Sequence, residues 1–479
     1  MSPRSNIVVM KFGGTSVEDA VAIERAITIV DGRRKRGLAP VVVVSAMSKV
    51  TDALLASSAA AHAGRGDREP ALEISSRLRV RHIETAARLV SNSDGRLTSL
   101  HKAIDEHFDS LDELLRGIAA VGELTARTSD LIVSFGERLS SLIIAAAFVE
   151  RGIAATHIDA RSIIRTDGHH GKAAPQERTI EHTLLTHVLP IIEEGTVPVM
   201  GGFIGSTEYG ETTTLGRGGS DYTAALVGGG LHAGSIEIWT DVNGIMTTDP
   251  RIVPEALRVK TISFEEAAEL AYFGAKVLHP ATILPAVQKN IPVLVLNSRN
   301  PENEGTRITA IAPSCSSPFK CIAAKKKLTI IDIVASRMLL AHGFLKMVFD
   351  VFDRHQCAID MVSTSEVSIS VTVDSRESLP AICEDLAKIA DVKYESAKAL
   401  ICLVGEDIRG HSGIAAQVFS AVSHVNIRMI SQGASEINMS FMINEEDVDE
   451  AVRSLHKRFF VSPDPAIFDI EARALTSNA

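Results

Sequence analysis

The chain has 479 residues, of which 45% are hydrophobic, and a formal net charge of −10 at neutral pH. This length predicts two or three domains, and the hydrophobic content excludes a largely disordered chain. Because nucleic-acid backbones require clustered Lys and Arg, the acidic balance argues against a nucleic-acid partner.

Cysteine usage and hydropathy indicate the compartment. The five cysteines are scattered and form no Cys-x-x-Cys pair, which favours buried thiols in a reducing compartment over disulfides or a zinc site. The N-terminus lacks the apolar core of a signal peptide, and no uninterrupted apolar stretch reaches about 18 residues. We therefore expect a cytoplasmic protein with no membrane partner.

Residues 1–300 alternate short apolar runs with helical periods, and residues 18–36 and 68–128 have helical spacing. The second helical stretch is predicted to be an insertion. The apolar runs predict parallel strands that are covered on both faces; they span residues 7–10, 41–44, 131–133, 197–200, 236–239 and 292–296. The alternation predicts a three-layer α/β domain.

The composition changes after residue 300. Residues 301–318 are rich in Pro, Glu, Asn and Ser, which predicts a linker or surface loop. An internal repeat follows, in which Val348-Phe349 recurs as Val418-Phe419 and Ser365-Glu366 recurs as Ser435-Glu436. Each copy is predicted to be a helix followed by two strands, so the C-terminal region contains two related modules.

The first chemical motif is Lys11-Phe12-Gly13-Gly14, directly after the first strand. Glycines allow the backbone to approach a phosphate closely, and the lysine adds a fixed positive charge. The lysine precedes the glycines, so this is not a P-loop. Taken alone, the motif is equally compatible with a tight turn between a strand and a helix.

The second motif runs from Thr212 to Asp221 and contains Gly216-Arg217-Gly218-Gly219. Ser220 or Asp221 is a natural N-cap, and the amides of a helix start bind anions. Arg217 could hold a carboxylate through two hydrogen bonds. The simpler alternative is a capped helix after a mobile loop.

Further candidate residues follow the strand at 236–239 and the turn that carries Lys276. Residues 240–251 are polar turn residues after a strand, where ligands bind in open α/β sheets. Lys276 would suit a phosphate clamp, although a lone lysine is more often on the surface. His169-His170 could suggest a metal site, but the adjacent glycines favour a mobile lid loop, and no metal site is predicted.

Together these motifs favour phosphoryl transfer, which depends mainly on positioning and charge neutralisation. A carboxylate acceptor is already ionised at neutral pH and needs no general base. This agrees with the absence of an obvious Ser–His–Asp or Cys–His pattern.

The strings KFGGTSV, SFGERLS, GFIGS, TTTLGRGGSDYTAAL and FGAKVLHP occur in order along the chain. With the C-terminal repeat, they make the chain resemble the aspartokinases, in particular the single-function, lysine-sensitive type. The resemblance implies a catalytic domain of the amino-acid-kinase (carbamate-kinase-like) fold over 1–300 and a linker over 301–318. It also implies two α+β ACT (ferredoxin-like) domains, the first over 327–398 and the second over 319–326 plus 399–479.

The resemblance also implies roles for individual residues. Lys11 and Lys276 would neutralise the phosphoryl group in flight, and Asp221 would hold both lysines. Aspartate would be bound by Thr51, Glu137, Arg217 and Ser220, with Glu137 at its ammonium and Arg217 at its α-carboxylate. ATP would be bound by Lys11, Gly13, Gly14, Ser45, Thr240, Asp241, Met246, Asp249, Arg251 and Lys276, with Mg²⁺ bridging its phosphates. Many relatives have Tyr at the position of Met246, which puts ATP affinity in question.

A lysine effector is expected at the first ACT copy. The matching residues are Met338, Gly343, Phe344, Leu345, Asp360, Thr364, Ser365 and Glu366. Asp360 would pair with an amine of the effector, and Ala341 replaces a usual Ser. The alternative is that these residues only build the core and turns of the module. ACT modules commonly pair between chains, so a homodimer or a dimer of dimers is expected.

The implied reaction converts aspartate and ATP to 4-phospho-L-aspartate, the first step toward lysine, threonine and methionine. Two alternatives remain open: another amino-acid kinase, or a catalytically inactive amino-acid sensor. A fused homoserine dehydrogenase is not expected, because no Gly-x-Gly-x-x-Gly opens a further domain.

Overall fold

The computed structural model describes residues 4–64, 66–92, 94–273, 280–314, 317–335, 343–374 and 377–470. The chain divides into two compact units. The first unit comprises residues 1–245, 261–264 and 277–312, and the second comprises 246–260, 265–276 and 313–479. The predicted domain boundaries stay predictions.

The strands within the described ranges are β1 Ile7–Phe12, β2 Ala39–Val44, β3 Ala155–Ile158, β4 Val197–Gly201, β5 Ile204–Ser206, β6 Thr212–Thr214, β7 Ser235–Thr240, β8 Arg258–Val259, β9 Thr261–Ser263, β10 Val293–Asn297, β11 Thr306–Thr309, β12 Cys321–Val334, β13 Met361–Thr364, β14 Ser368–Val373, β15 Asp391–Val404, β16 Met429–Gln432, β17 Asn438–Asn444 and β18 Phe468–Asp469.

The α-helices of the same ranges are α1 Ala20–Lys35, α2 Val50–Ala63, α3 Glu69–Leu89, α4 Arg96–Val121, α5 Ala126–Glu150, α6 Glu177–Thr183, α7 Leu189–Glu193, α8 Gly219–Leu231, α9 Phe264–Tyr272, α10 Leu284–Gln288, α11 Phe344–Arg354, α12 Leu379–Ala387, α13 Ile414–Ala421 and α14 Val448–Phe459.

The first unit is built on an eight-stranded sheet with the order β3-β4-β2-β1-β7-β10-β11-β9. The six strands from β3 to β10 run parallel, and β11 pairs antiparallel with β10. Five of the predicted strand runs, at 7–10, 41–44, 197–200, 236–239 and 292–296, lie on strands of this sheet. The prediction of a parallel α/β sheet is therefore confirmed.

The sixth predicted strand, at 131–133, is wrong, because these residues lie inside α5. Ile132 and Val133 are buried as expected, but burial continues at Phe135 and Leu139 with helical spacing. A short apolar run cannot distinguish a buried strand from one face of a buried helix. A second difference lies inside the stretch 301–318, where residues 306–309 form β11 because they complete the ladder beside β10.

Helices cover both faces of this sheet. Val8, Met10 and Phe12 of β1 belong to a buried cluster that also contains residues of α1 and α5. On the opposite face, Val9 points toward α8, where an added Cβ at Gly228 would lie 3.8 Å away from it. The alternation along one strand thus produces the three predicted layers.

The helices α2 to α5 extend the same core. The stretch predicted to be a helical insertion, 68–128, forms α3 and α4, which pack with α5 through Leu78, Phe108 and Leu115. In the described part of the chain, α5 is the one helix that is long and apolar enough to cross a membrane. However, 78% of its most apolar window is buried inside the fold, as in a helix that belongs to a protein core.

The second unit contains a six-stranded antiparallel sheet with the order β13-β14-β12-β15-β17-β16. Its halves repeat one pattern: α11 precedes the hairpin β13–β14, and α13 precedes the hairpin β16–β17. This is the helix followed by two strands that the repeat predicted. The strands β12 and β15 are each 14 residues long and pair along both halves, so the two copies share one sheet.

Candidate active site

A cleft of about 690 Å³ opens in the first unit at the carboxyl ends of β1, β2 and β7, where open parallel sheets bind ligands. The predicted residues that line it are Lys11, Gly13, Gly14, Ser45, Thr51, Glu137, Arg217, Ser220, Asp221, Thr240 and Asp241. The first unit therefore brings together residues from widely separated parts of the sequence.

Lys11 is fixed by β1 and by the first turn of α8. It is the penultimate residue of β1 and is 9% exposed. Its ammonium nitrogen Nζ lies 2.7 Å from Oδ1 of Asp221. No hydrogen bond with good geometry reaches that carboxylate oxygen within the described residues, so the attraction between the two charges holds the pair in place. The pair directs a positive charge into the cleft.

Helix α8 begins differently from the prediction. Neither Ser220 nor Asp221 is the N-cap; the N-cap is Gly218, with φ of 74° and no side-chain cap. A left-handed residue at this position favours glycine. No side chain caps the helix, and its first residues Gly219, Ser220 and Asp221 line the cleft, so a helix N-terminus, which favours anions, lies at the cleft.

Arg217 lies in the loop before α8 and is exposed to solvent. Among the described residues, no hydrogen bond or ion pair is recorded for its guanidinium, although it lines the cleft. An unpaired guanidinium at the mouth of a cleft is available to a carboxylate or phosphate ligand.

Glu137 is a buried carboxyl group at the base of the cleft. It lies on α5, is 3% exposed and accepts a hydrogen bond from the amide of Ala46 at 3.1 Å through Oε1. Burial raises the pKa of Glu137 to about 8, against the lowering effects of the Ala46 hydrogen bond and the charge of Lys11. Its other oxygen, Oε2, has no hydrogen-bond partner within the described ranges. An ammonium group in the cleft would satisfy that oxygen.

The loops at the ends of β2 and β7 complete the cleft. Ser45 follows β2, and its carbonyl accepts a hydrogen bond from the Ser140 hydroxyl at 2.8 Å. Thr240 ends β7 and donates to Asp241 at 3.2 Å. The amide of Gly13 donates to the Trp239 carbonyl at 3.0 Å. The bonds from Ser140 and Gly13 hold the backbone of these loops in place.

Several predicted residues lie elsewhere. Met246, Asp249 and Arg251 belong to the second unit, where the guanidinium of Arg251 binds Asp249 at 2.6 Å. That hydrogen bond, more than any other contact, lowers the pKa of Asp249. Lys276 lies outside the described residues, so its predicted convergence with Lys11 stays a prediction.

Among the cleft residues that were not predicted from the sequence, two non-glycine residues have a left-handed backbone. Phe203 lies in the GFIGS string and has φ of 66°, a conformation that is rare for a bulky residue and concentrated at functional sites. Lys49 has φ of 67° and precedes α2. Both line the cleft. The signal for Phe203 was its position within the glycine-containing GFIGS string, whereas nothing in the sequence distinguished Lys49 from a surface lysine.

The predicted effector residues lie around α11 and the first hairpin of the second unit. Gly343 is the left-handed N-cap of α11, Phe344 is buried, and Leu345 is 44% exposed. Thr364 ends β13, while Ser365 and Glu366 form the following turn. Met338 lies outside the described residues, as does Ala341.

Asp360 precedes β13, and its side chain is 5% exposed. Its Oδ1 lies 2.7 Å from Nζ of Lys325, whose ammonium also lies 3.0 Å from Asp374. Burial raises the pKa of Asp360 despite the pairing with Lys325. Its Oδ2 is buried and accepts no hydrogen bond with good geometry among the described residues, and the nearby Tyr272 hydroxyl donates to the Ile359 carbonyl at 3.3 Å.

Comparison with known proteins agrees with this geometry. The model of the amino acid kinase family matches residues 6–297, and an ACT domain model matches residues 401–459. Lysine-sensitive aspartokinase 3 of Escherichia coli is 38% identical over 95% of this chain and 100% of its own length. Chloroplastic aspartokinase 1 of Arabidopsis thaliana is 39% identical over 97% of this chain and 82% of its own length.

Solved structures agree as well. E. coli aspartokinase III in complex with aspartate and ADP superposes with a TM-score of 0.81 at 36% identity, covering 95% of this chain and all of that one. The same enzyme with lysine and aspartate gives 0.80, with the same identity and coverage. The Clostridium acetobutylicum aspartate kinase gives 0.78 at 27% identity, covering 94% of this chain and all of that one. The chain therefore belongs to the aspartokinase family, with an amino acid kinase domain followed by ACT domains as its motifs predicted.

Proposed function

We propose that the chain transfers the terminal phosphoryl group of ATP to the side-chain carboxylate of aspartate and releases 4-phospho-L-aspartate and ADP. This reaction is the first step toward lysine, threonine and methionine. The observation that carries the proposal is the composition of the cleft. The cleft contains two cationic side chains that can bind anionic groups, Lys11 and Arg217. It also contains the buried carboxyl group of Glu137, which can accept hydrogen bonds from an ammonium.

Each end of the amino acid has a complementary group. The guanidinium of Arg217 suits the α-carboxylate, and the unpartnered Oε2 of Glu137 suits the ammonium. Thr51 and Ser220 add hydroxyls to the same cleft. The side-chain carboxylate of the substrate aspartate would then face Lys11. The positive charge of Lys11 stabilises the negative charge on the phosphoryl oxygens in the transition state.

The nucleotide would lie on the backbone of Gly13, Gly14 and Ser45, with Thr240 and Asp241 beside it. Met246, Asp249, Arg251 and Lys276 are proposed to complete the ATP site. Asp221 pairs with the ammonium of Lys11 and aims it into the cleft. The acceptor needs no base, because a carboxylate is ionised at neutral pH.

Magnesium would enter with ATP. The described residues contain no group of three or more His, Cys, Asp or Glu that could hold a metal ion. Mg²⁺ commonly keeps several waters and is bound largely through the phosphates of its substrate. When bound, it would neutralise charge on those oxygens. Asp221 and Asp241 are two of the carboxylates that line the cleft, and they are proposed to contact its water shell.

Regulation by lysine is proposed at Asp360 and the start of α11, and the other proposed effector residues are Gly343, Phe344, Leu345, Thr364, Ser365, Glu366 and Met338. The buried, half-satisfied carboxylate of Asp360 supports this, since a second ammonium would complete its contacts. Association into a homodimer or a dimer of dimers is proposed through the ACT region. Apolar side chains there are exposed at Leu345, Phe349, Val362 and Ile430.

A cytoplasmic location is proposed because all four cysteines among the described residues are free thiols, which suits a reducing compartment.

The test is a coupled assay of ADP release with aspartate, with glutamate and with no acceptor. Release that depends on aspartate is expected. Release with glutamate alone would favour a different amino-acid kinase, and no release with either acceptor, while lysine still binds, would favour an inactive sensor. The same preparation, studied by light scattering, reports the oligomer.

A further inference from the structure

Asp130 is a buried carboxylate that does not line the cleft. It lies near the start of α5, two turns before Glu137, and is 3% exposed. Burying a carboxylate is costly unless its oxygens are well satisfied. The residues that satisfy Asp130 therefore indicate what it holds in place.

Four donors surround Asp130. Its Oδ2 accepts from the amide of Gly171 at 2.9 Å, from the amide of Thr214 at 3.2 Å and from Nδ1 of His170 at 3.1 Å. Its Oδ1 accepts from the hydroxyl of Thr214 at 2.6 Å. Three donors converge on one oxygen. An amide side chain of the same shape could make only neutral hydrogen bonds here, whereas the carboxylate makes charge-assisted ones, which are stronger.

These bonds join three separate segments of the first unit. Asp130 belongs to α5, Gly171 belongs to the loop 167–174, and Thr214 ends β6. The loop and β6 also bond directly, through the amide of Ala173 and the carbonyl of Thr214 at 2.9 Å. An added Cβ at Gly216, which has φ of 76°, would lie 3.3 Å from the carbonyl oxygen of Gly171.

The segment that Asp130 fixes leads directly to the proposed substrate-binding residue. Arg217 follows Thr214 by three residues, and no contact of its own guanidinium is recorded among the described residues. The position of this exposed guanidinium therefore depends on where its backbone is held, and Asp130 holds the last residue of β6 from both its amide and its hydroxyl.

We propose that Asp130 is a positioning residue for aspartate binding, which acts by fixing the Arg217 loop against α5. This inference rests on the proposed function, because it assumes that Arg217 binds the substrate. In this proposal His170 and Gly171 help to hold Asp130 in place through their hydrogen bonds to its Oδ2.

The direct experiment compares Asp130→Asn with wild type in steady-state kinetics. The KM for aspartate is expected to rise at least about tenfold, because a network of charge-assisted hydrogen bonds is lost. The KM for ATP should stay within about twofold, since loss of uniform binding affects only the substrate concerned. The matched control is Asp109→Asn, an exposed aspartate on α4, which should leave both constants unchanged.

A double-variant cycle separates positioning from a general structural role. In an Arg217→Ala background, Asp130→Asn should raise the KM for aspartate no further, because the residue being positioned is absent. Equal increases in both backgrounds, or an unchanged KM in the single variant, would overturn the inference.

A second variant decides the matter if Asp130→Asn does not fold. Thr214→Val keeps the shape of the side chain and the backbone amide, but removes the hydroxyl bond to Oδ1. It should raise the KM for aspartate several-fold, and no change would overturn the inference. Wild-type protein without aspartate-dependent ADP release would instead refute the proposed function itself, so the two failures are distinguishable.

Discussion

Lys11 and Asp221 form an ion pair that connects the first strand of the sheet to the first turn of α8, with Nζ and Oδ1 2.7 Å apart. Both side chains are largely buried, so each charge depends on the other for compensation. The ion pair explains how the ammonium of Lys11 is held in one position at the anion site.

The first prediction concerns Asp221. Replacing it by Asn removes the charge that aims Lys11, and we expect kcat to fall by about 10- to 100-fold. Steady-state assays at saturating aspartate and ATP would measure this. Asp31→Asn, which breaks surface ion pairs on α1, should have no effect. A variant of Asp221 with wild-type turnover would mean that the ion pair has no part in catalysis.

The second prediction concerns Arg217. Its replacement by Ala should raise the KM for aspartate by about 100-fold and leave the KM for ATP nearly unchanged, because a bidentate contact to the α-carboxylate is lost. Arg217→Lys should recover only part of the loss, since an ammonium is a single point charge. Arg116→Ala, an exposed arginine on α4, is the control. Equal KM values for Arg217→Ala and wild type would remove Arg217 from the substrate site.

The third prediction concerns pH. Because burial raises the pKa of Glu137 to about 8, the free enzyme carries a proton there at neutral pH, and the substrate ammonium must displace it. The KM for aspartate should therefore rise as the pH falls below 8, approaching about tenfold per pH unit.

The matching variant is Glu137→Gln. It has no proton to lose, so its KM should be high and nearly independent of pH between 6 and 8. A wild-type KM that stays flat across that range would show that Glu137 does not bind the ammonium.

The fourth prediction concerns the effector. Asp360 already has an ammonium partner in Lys325, so an incoming lysine must share or replace it. Lys325→Met should lower the lysine concentration that gives half-inhibition, whereas Asp360→Asn should abolish inhibition and leave basal activity intact. Inhibition curves for the two variants, with Lys346→Met on the exposed side of α11 as control, would measure this. Unchanged inhibition in Asp360→Asn would place the effector elsewhere.

The pKa of Asp360 gives this prediction a pH dependence. Because burial raises that pKa, the carboxylate takes up a proton at a higher pH than an exposed aspartate does. Inhibition by lysine should consequently weaken as the pH falls, and it should do so before the exposed carboxylates of the protein titrate.

The sequence predicted the sheet and the cleft better than the details of its helices. Buried parallel strands such as Val41–Val44 are uninterrupted β-branched runs, which can be recognised in the sequence. The glycine-rich turns likewise indicate where β1 ends and where α8 begins. The strand prediction at 131–133 was wrong because the residues around this run continue the apolar pattern with helical spacing. The short run alone could not distinguish a buried strand from a buried helix.

The network around Asp130 could not have been predicted. Its donors, at positions 170, 171 and 214, are far from it in sequence, and no local pattern relates them. The same holds for the pairing of Lys11 with Asp221, which the sequence alone offered only through a family resemblance. Long-range contacts of this kind are decided by the topology of the sheet, whereas glycine-rich turns are decided locally.

The central claim is that the ammonium of Lys11 stabilises the phosphoryl group during its transfer. Asp221 holds that ammonium in position through the ion pair. The most direct measurement is kcat of the double variant Lys11→Met/Asp221→Asn, in which no unpaired charge remains to disturb folding. We expect a melting temperature close to that of wild type and a loss of turnover of about 1,000-fold, as large as for Lys11→Met alone. A folded double variant that keeps turnover near the wild-type value would contradict the account.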